Sequence, residues 1–324
     1  MRRIGLVLGL AMLLPACGLS AARVDGAQGS AISEPTSAPA APSTSEVPSA
    51  TTITTAPATT AAAPATTATP PAPQPNDKMV VAPYFFVDEA GRANRTGPFL
   101  IPVAREVEAS KGVARRAIEQ LLAGPDQGER DGVPALSSAI PDGVELLGLT
   151  IEDGLAVIDL SSEFDIEDDS AAVATRVAQV VFTLTRYDSV ERVRFLEEGR
   201  ETKTPTSDGS LVAGSVTRGD YLDFAAAITV ESPIYWGNGS DPLRVTGFAA
   251  VFEASFRYAL TDGDGRILEE GVAMTSNGMG WGDFDFTIDY DVDEAQLGAL
   301  LVWAHSAEDG ARIDIREYPV RLQP

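Results

Sequence analysis

The chain has 324 residues, of which 24 are Lys or Arg, 47 are Asp or Glu and one is His, so its formal net charge is −23. Nucleic acids and anionic lipid surfaces are bound by clustered basic side chains, so this balance argues against both as partners. The single cysteine, Cys17, excludes an intrachain disulfide and a cysteine-based zinc site. The single histidine, His305, excludes a His-rich metal centre and disfavours a Ser-His-Asp triad. We therefore expect neither a metal nor a cofactor.

The N-terminus has the pattern of an export signal. Two arginines precede an apolar run at 4–14, which has the length of a signal-peptide core and is too short for a permanent membrane-spanning helix. The tripeptide Pro15-Ala16-Cys17 resembles the end of a bacterial lipobox, with Pro15 as its departure from the usual small or aliphatic residue. The resemblance implies a signal peptide at 1–16, a diacylglyceryl group on Cys17, and anchoring to the outer face of the cell membrane.

A spacer follows the predicted anchor. Between residues 26 and 76 the composition falls to Ala, Thr, Pro and Ser, with ten prolines and only two charged residues. Such a segment buries too little apolar surface to offset the entropy cost of ordering, so we expect 17–77 to be a disordered linker. Its reach is about 40 Å as a flexible coil. The remaining chain, 78–324, holds 21 basic and 43 acidic residues, so the predicted folded head carries nearly all of the negative charge.

Alternating strand and helix patterns predict an α+β domain over 78–222. The order of the elements is β-β-α-β-β-α-β, with the helices packed on one sheet. The Asp153-Gly154 pair between two of these strands is typical of a tight hairpin turn. The elements are predicted at 79–87, 99–107, 113–122, 144–151, 155–160, 170–186 and 193–196.

Several separated blocks of this domain carry a resemblance to a known family. The blocks are 117–122 followed by Gly124-Pro125, 136–143 (LSSAIPDG), 156–164 (AVIDLSSEF) and 179–185 (QVVFTLT). They resemble the GerM-type (GerMN) sporulation and germination domain, which also occurs in envelope lipoproteins of actinobacteria. The resemblance covers about 78–199 and implies a non-catalytic module used in envelope assemblies.

Three acidic residues near the end of one strand allow an alternative interpretation. Asp159, Glu163 and Asp165 could supply the carboxylate pair of a glycan hydrolase, in which one carboxyl group has a raised pKa. Their position between a strand and a helix is, however, where acidic side chains cap the helix and favour its dipole. We expect the capping role and keep a cell-wall glycan or peptide hydrolase as the alternative function.

The C-terminal region, 225–324, is rich in short strands. Seven strands at this spacing predict an antiparallel, immunoglobulin-like β-sandwich. Between 283 and 292 apolar and acidic residues alternate, which indicates one face toward a core and one toward water. The strands are predicted at 228–231, 243–248, 255–261, 267–274, 283–290, 300–306 and 312–320.

This region resembles a second family. The motifs that carry the resemblance are Ser232-Pro233, 241–247 (DPLRVTG), 252–254, 262–265 (DGDG), Trp281 with Phe284, and Asp309-Gly310. They look like the immunoglobulin-like domain associated with bacterial spore germination proteins, and the resemblance implies a role in binding or assembly. The fold itself dictates no chemistry.

Three features of the second domain are candidate sites. The loop at 262–265 begins like a calcium loop, but its later positions lack carboxylates, so we interpret it as a hairpin turn. Tyr235 and Trp236 lie in a Gly-rich loop, where aromatic side chains often contact carbohydrate or protein, although a tryptophan packed into the core is the alternative. His305 lies in a strand of apparent core character, beside residues 301–304, and is interpreted as a hydrogen-bonded structural residue. The predicted function is a lipid-anchored, non-catalytic module that binds or assembles envelope proteins or wall polymer.

Overall fold

The computed structural model describes residues 77–87, 98–166 and 171–324. All of them belong to one unit of the chain, Ala68–Pro324. Cys17, the signal peptide and the predicted linker up to residue 76 lie outside the described residues. Neither the three α-helices nor the shorter helical turns of the described part combine enough length with enough apolar character to span a bilayer.

The first domain mixes short strands with three helices. Its largest sheet has the strand order β12-β8-β7-β6, with β9 on the edge of β8, and only the β7–β8 pair is parallel. Smaller sheets pair β3-β2-β5, β1-β4 and β10-β11. The elements are β1 Lys78–Val81, β2 Tyr84–Val87, β3 Phe99–Pro102, β4 Arg105–Glu108, α1 Val113–Ala123, α2 Gln127–Arg130, β5 Leu136–Ser137, β6 Leu146–Glu152, β7 Gly154–Leu160, α3 Ala171–Thr185, β8 Val190–Glu197, β9 Arg200–Glu201, β10 Lys203–Pro205, β11 Leu211–Ala213 and β12 Ser215–Val216, with 3-10 turns at Ser162–Phe164 and Arg218–Phe224.

The two N-terminal strands differ from the prediction. The expected strand at 79–87 is divided into β1 and β2 around Pro83, and the strand at 99–107 is divided at Val103 and Ala104. Proline has no N–H to donate to a sheet, so the ladder breaks there. The halves pair in two different small sheets, and the predicted single sheet under the helices is therefore several sheets.

Helix α3 lies at the centre of the first domain. Two of its polar side chains complete the hydrogen bonds of β2, because Gln179 Nε2 donates to the Tyr84 carbonyl at 3.0 Å and Thr183 Oγ1 accepts from the Tyr84 N–H at 3.0 Å. The Gln179 side-chain oxygen also accepts from the Ala139 N–H at 2.7 Å. Buried polar groups need such partners, so these contacts fix the helix against the strands.

The second domain is a two-layer β-sandwich, as predicted. One sheet has the order β13-β15-β18 and the other β14-β20-β19-β16-β17. The alternation on β18 is confirmed, since Phe284 and Ile288 are buried while Asp283 and Asp285 are exposed. The strands are β13 Ile228–Ser232, β14 Asn238–Gly239, β15 Leu243–Ala250, β16 Ser255–Thr261, β17 Ile267–Met274, β18 Trp281–Ile288, β19 Gln296–His305 and β20 Arg312–Leu322.

The two domains contact each other through backbone and side chains. Tyr235 of the second domain donates its N–H to the Pro102 carbonyl at 3.1 Å and accepts from the Ala104 N–H at 3.1 Å. Farther along the junction, the rings of Phe182 and Phe248 pack with their centroids 6.3 Å apart. The segment that follows β13 is thus hydrogen-bonded directly to the first domain.

Candidate binding cleft at the domain junction

The segment after β13 is held on two sides. While Tyr235 bonds to the first domain, the N–H of Trp236 donates to the Pro319 carbonyl of β20 at 2.9 Å. Gly237 turns the chain back, and a Cβ at this position would lie 2.8 Å from the Ile234 carbonyl oxygen. Trp236 itself has a φ of +65°, a left-handed conformation that is unusual for a bulky residue. Such strain persists only where the surroundings fix the backbone, and it is concentrated at functional sites.

The two aromatic residues predicted as contact residues occupy different environments. Tyr235 is buried, and its ring packs edge-on against Tyr318 at 6.4 Å and against Trp236 at 5.9 Å. Trp236 keeps 41% of its surface exposed. The structure therefore gives Tyr235 a supporting position and leaves Trp236 as the side chain that faces solvent.

Trp236 forms one wall of a cleft of about 280 Å³. The first domain contributes a second wall, Val133 and Pro134, which follow α2. The second domain contributes several small residues to the lining, which we call the floor: Gly263, Gly298 and Ala299. The cleft is thus shared by both domains and is close to the lower limit of about 300 Å³ that is common for small-molecule sites.

The charged side chains of the cleft lining are both acidic. No Lys or Arg lines the cleft, and its acidic side chains are Asp262 and the exposed Glu317. The Asp262 carboxylate accepts from the backbone N–H groups of Asp264 at 3.1 Å and Arg266 at 2.9 Å, and from Arg266 Nε at 3.1 Å. The Arg266 N–H and its guanidinium outweigh the effect of burial and hold the pKa of Asp262 below its usual range. This carboxylate closes the β16–β17 hairpin, which confirms the predicted turn.

The acidic residues considered for hydrolysis have structural roles, although Asp159 does not have the expected capping role. Asp159 lies within β7, and its carboxylate accepts from the N–H of Gly199, 40 residues away, at 2.9 Å, whereas Glu163 lies exposed in the 3-10 turn Ser162–Phe164. The hydroxyl group of Ser161 lowers the pKa of Glu163, which is opposite to the direction needed for a general acid. Asp165 ends this turn in a left-handed conformation with a φ of +51°.

The pKa shifts of the other carboxyl groups agree with that of Glu163. Among the described residues, every carboxyl group with a clearly shifted pKa is shifted downward; these are Glu163, Asp208, Glu231, Asp262, Asp285 and Asp309. The described residues also contain no group of three or more His, Cys, Asp and Glu side chains arranged to hold a metal ion.

His305 is a hydrogen-bonded residue at the end of β19, but it is exposed and does not lie in the core as its strand suggested. Its Nε2 accepts from Trp303 Nε1 at 3.2 Å, and its Nδ1 lies 3.0 Å from the Gly310 carbonyl. Both contacts are satisfied by a neutral ring protonated at Nδ1, because a carbonyl only accepts.

Sequence reasoning missed a cluster of polar side chains at the domain junction. Glu231 of β13 accepts from the Tyr84 hydroxyl at 2.5 Å and from Arg218 Nη1 at 2.7 Å. The Arg218 guanidinium also lies 4.9 Å from the ring centre of Phe182 and 5.4 Å from that of Phe248. Because 147 residues separate Tyr84 from Glu231, no local pattern indicates this contact.

The cluster has its own electrostatics. Burial alone would raise the pKa of Glu231, but the charge of Arg218 and the Tyr84 hydroxyl outweigh burial and hold it below its usual value. Burial and the neighbouring Glu231 raise the pKa of Tyr84, so its hydroxyl remains a donor. The cluster therefore joins the domains with one ionised pair and one neutral donor.

A second surface feature is an exposed apolar tip on the sandwich. Phe252 is 64% exposed and follows β15, and Met279 is fully exposed in the loop before β18. The Asn277 side chain accepts from the Met279 N–H at 3.0 Å, so this loop is internally hydrogen-bonded. The tip provides an exposed aromatic side chain that can be compared with Trp236.

Comparison with known proteins bears out both family resemblances. Residues 83–203 match the family Germane, described as sporulation and spore germination, and residues 227–311 match Gmad2, described as the immunoglobulin-like domain of bacterial spore germination. None of the curated proteins matches the chain.

Several solved structures are similar to parts of the chain. A candidate lipoprotein from Clostridium perfringens is 20% identical, with 46% of this chain and 93% of that chain covered and a TM-score of 0.30. The first GerMN domain of the sporulation protein GerM from Bacillus subtilis is 19% identical, with coverages of 44% and 98% and a TM-score of 0.33. The tandem GerMN domains of the same protein are 14% identical, with coverages of 67% and 64% and a TM-score of 0.35.

Proposed function

Because the chain carries a Germane domain followed by a Gmad2 immunoglobulin-like domain, we propose that it is a non-catalytic binding or assembly protein of the bacterial cell envelope. It is exported and held on the outer face of the cell membrane by a lipid on Cys17. Its partners are other envelope proteins or wall polymer. The observation that carries the binding role is the exposed Trp236, held in a left-handed conformation over a cleft shared by both domains.

The proposed anchor and linker would place this cleft away from the lipid surface. A coil over residues 18–77 reaches about 40 Å, which is comparable with the thickness of a bilayer including its headgroups. The acidic composition of 78–324 supports such a placement, because negative charge disfavours contact with anionic lipid. Lipid on Cys17 would then supply attachment, and the folded head would supply recognition.

The contacts between the domains support a head that acts as one body. The Tyr84–Glu231–Arg218 cluster and the backbone bonds of Tyr235 both cross the junction. A cleft whose walls come from two domains recognises a ligand best when those walls are already fixed, because less entropy is lost on binding. The junction therefore favours a binding role for the head.

Hydrolysis is the weaker alternative. A glycosidase acid needs a raised pKa, whereas the pKa of Glu163 is lowered by Ser161. Replacing Glu163 by Gln distinguishes the two functions in the cell, since a binding protein tolerates this exposed change. Loss of the cellular phenotype in a stably folded Glu163→Gln variant would favour the hydrolase.

Proximity labelling in the native cell tests the binding role. A labelling enzyme fused after Pro324 should mark a reproducible set of envelope proteins or wall material. Cys17→Ala should change that set by releasing the anchor, and Trp236→Ala should weaken the labelling of specific partners while keeping the protein at the membrane. Phe252→Ala is the matched control, because it removes an exposed aromatic outside the cleft. A labelled set that is identical in all four proteins would contradict the proposal.

A further inference from the structure

We infer that the Trp236 cleft binds a ring of a neutral carbohydrate. The inference rests on the proposed binding function and narrows it to one class of ligand. It is carried by the small residues of the floor, by the aromatic wall and by the absence of basic side chains from the lining. Each of these favours a flat, uncharged ring that has hydroxyl groups at its edge.

The wall is a preorganised aromatic surface. The N–H of Trp236 is fixed to Pro319, and its indole packs edge-on against the buried ring of Tyr235 at 5.9 Å. The indole therefore has little freedom to lose when a ligand arrives. The face of an indole matches the apolar C–H face of a sugar ring, while its electron-rich surface repels carboxylate and phosphate groups.

The floor consists of residues with a small side chain or none. A Cβ at Gly263 would lie 2.8 Å from the Leu297 carbonyl oxygen, and a Cβ at Gly298 would overlap the Thr261 carbonyl oxygen and the buried Leu322 side chain, so neither position accepts a larger residue. Ala299 continues the floor beside Gly298 with a single methyl group. A saturated ring can therefore lie against Trp236 and approach the backbone, whose polar groups can pair with hydroxyl groups.

The charge of the lining selects against anionic ligands. An anionic ligand finds neither Lys nor Arg in the lining. A cationic ligand meets an Asp262 carboxylate that already accepts three hydrogen bonds, one of them from the Arg266 guanidinium. The Asp262 carboxylate is therefore already paired before any ligand arrives. Glu317 is the second acidic side chain of the lining, and a carboxylate accepts hydrogen bonds from the hydroxyl groups of a sugar. A neutral ring gains the stacking contact and hydrogen bonds without having to compete with Arg266.

The first domain completes the site. Val133 is 95% exposed although it is apolar, and with Pro134 it is the first domain's part of the cleft lining. Apolar surface at a cleft edge gains free energy when a ligand covers it. A ring in the cleft would thus contact both domains, and binding should weaken if either wall is removed.

Direct binding measurements on the full chain test the inference. The protein is purified as the Cys17→Ala form and titrated with neutral hexasaccharides of N-acetylglucosamine, mannose and glucose, up to about 10 mM. Polygalacturonate and hexalysine serve as the anionic and cationic probes. Calorimetry reports binding, and tryptophan fluorescence reports whether the exposed indole of Trp236 is covered.

We expect saturable binding of at least one neutral hexasaccharide and none of the charged probes. Trp236→Ala should weaken that binding by about tenfold or more, because the stacking surface is lost. Trp236→Phe should retain most of it, and Ala299→Leu should abolish it by filling the floor while keeping Trp236. Phe252→Ala is the matched control and should bind like the unsubstituted chain.

Three results would overturn the inference: no saturable binding of any neutral hexasaccharide, binding that survives both Trp236→Ala and Ala299→Leu, or preferential binding of hexalysine. The last result would assign the cleft to a cationic peptide instead. These measurements are independent of the anchor and the cell. If partner labelling succeeds while sugar binding fails, the proposal of an envelope-binding protein therefore stands. Only the inference that the cleft binds a neutral carbohydrate is then rejected.

Discussion

Replacing Arg218 by Met tests the ion pair that joins the two domains. The substitution keeps an apolar stem against Phe182 and Phe248 but removes the guanidinium that lies 2.7 Å from Glu231. Glu231 then remains in a site where its side chain is only 22% exposed, with the Tyr84 hydroxyl as its contact. An ionised carboxylate left in such a site is strongly destabilising.

The expected loss follows from this burial. Removing one partner of a fully buried pair costs about 3–5 kcal/mol, and partial access of water to this pair reduces the loss to about 2–4 kcal/mol. Unfolding in guanidinium chloride at pH 7, followed by circular dichroism and by tryptophan fluorescence, measures this loss in the free energy of unfolding. Trp281 packs 5.4 Å from Phe248, so fluorescence reports on the sandwich beside the junction. We also expect the single transition of the intact chain to broaden or divide, because the domains lose a shared contact.

A double substitution and a surface pair provide the controls. Arg218→Met with Glu231→Leu should recover part of the loss, because no uncompensated charge remains. Arg244→Met breaks an ion pair with Asp285 whose side chains are 68% and 55% exposed, and should leave the unfolding midpoint nearly unchanged. A loss below about 1 kcal/mol for Arg218→Met, or a double variant that loses the full sum of the single losses, would refute the reasoning.

Three further substitutions test other parts of the structure. The folded-state pKa of Glu231 is lowered, so its contribution to stability is complete above its unfolded pKa of about 4.3 and is lost as the pH falls through the folded value. Glu231→Gln should therefore flatten the fall in the unfolding midpoint on acidification below about pH 4.5. An unchanged slope would contradict the assignment. Gln179→Leu leaves the Ala139 N–H and the Tyr84 carbonyl without this partner and should lower the free energy of unfolding by about 2–4 kcal/mol in urea, whereas the exposed Gln127→Leu should not. Gly247→Ala places a methyl group against the Thr229 carbonyl and the Phe284 ring, and should lower the free energy of unfolding by about 1–3 kcal/mol or more. In the control Gly148→Ala the new Cβ meets only Asp159 at 3.4 Å, so thermal unfolding should show a much smaller fall in the midpoint than for Gly247→Ala.

Local patterns were sufficient to predict most elements. The helices predicted at 113–122 and 170–186 are observed at Val113–Ala123 and Ala171–Thr185, because apolar residues recur there at helical spacing. The Asp-Gly turn is equally local: Asp153 and Gly154 both have positive φ values, 48° and 75°, as a tight hairpin requires. All seven strands predicted in the second domain are present, with differences mainly at their ends.

Tertiary contacts set the limit of the prediction. Gln179 was part of a family motif, but its role as a bridge to Tyr84 depends on residues 95 positions away. Pro83 is a local signal for the break in the strand predicted at 79–87, since proline has no N–H to donate to a β-ladder. Tyr235 and Trp236 are adjacent aromatic residues in the same loop, so the sequence does not distinguish them. Tyr235 is buried where its ring packs on Tyr318 and its backbone bonds to the first domain.

The junction and the cleft depend on the same short segment of chain. Glu231 lies in β13 and is fixed by Arg218, and five residues later Trp236 adopts its left-handed conformation. A strained residue keeps that conformation only if the chain on both sides is held, which the bonds of Tyr235 to Pro102 and of Trp236 to Pro319 accomplish. Loosening the ion pair should therefore weaken binding at Trp236 as well as stability. We expect Arg218→Met to reduce ligand affinity even at temperatures where the protein remains folded, although Arg218 does not line the cleft.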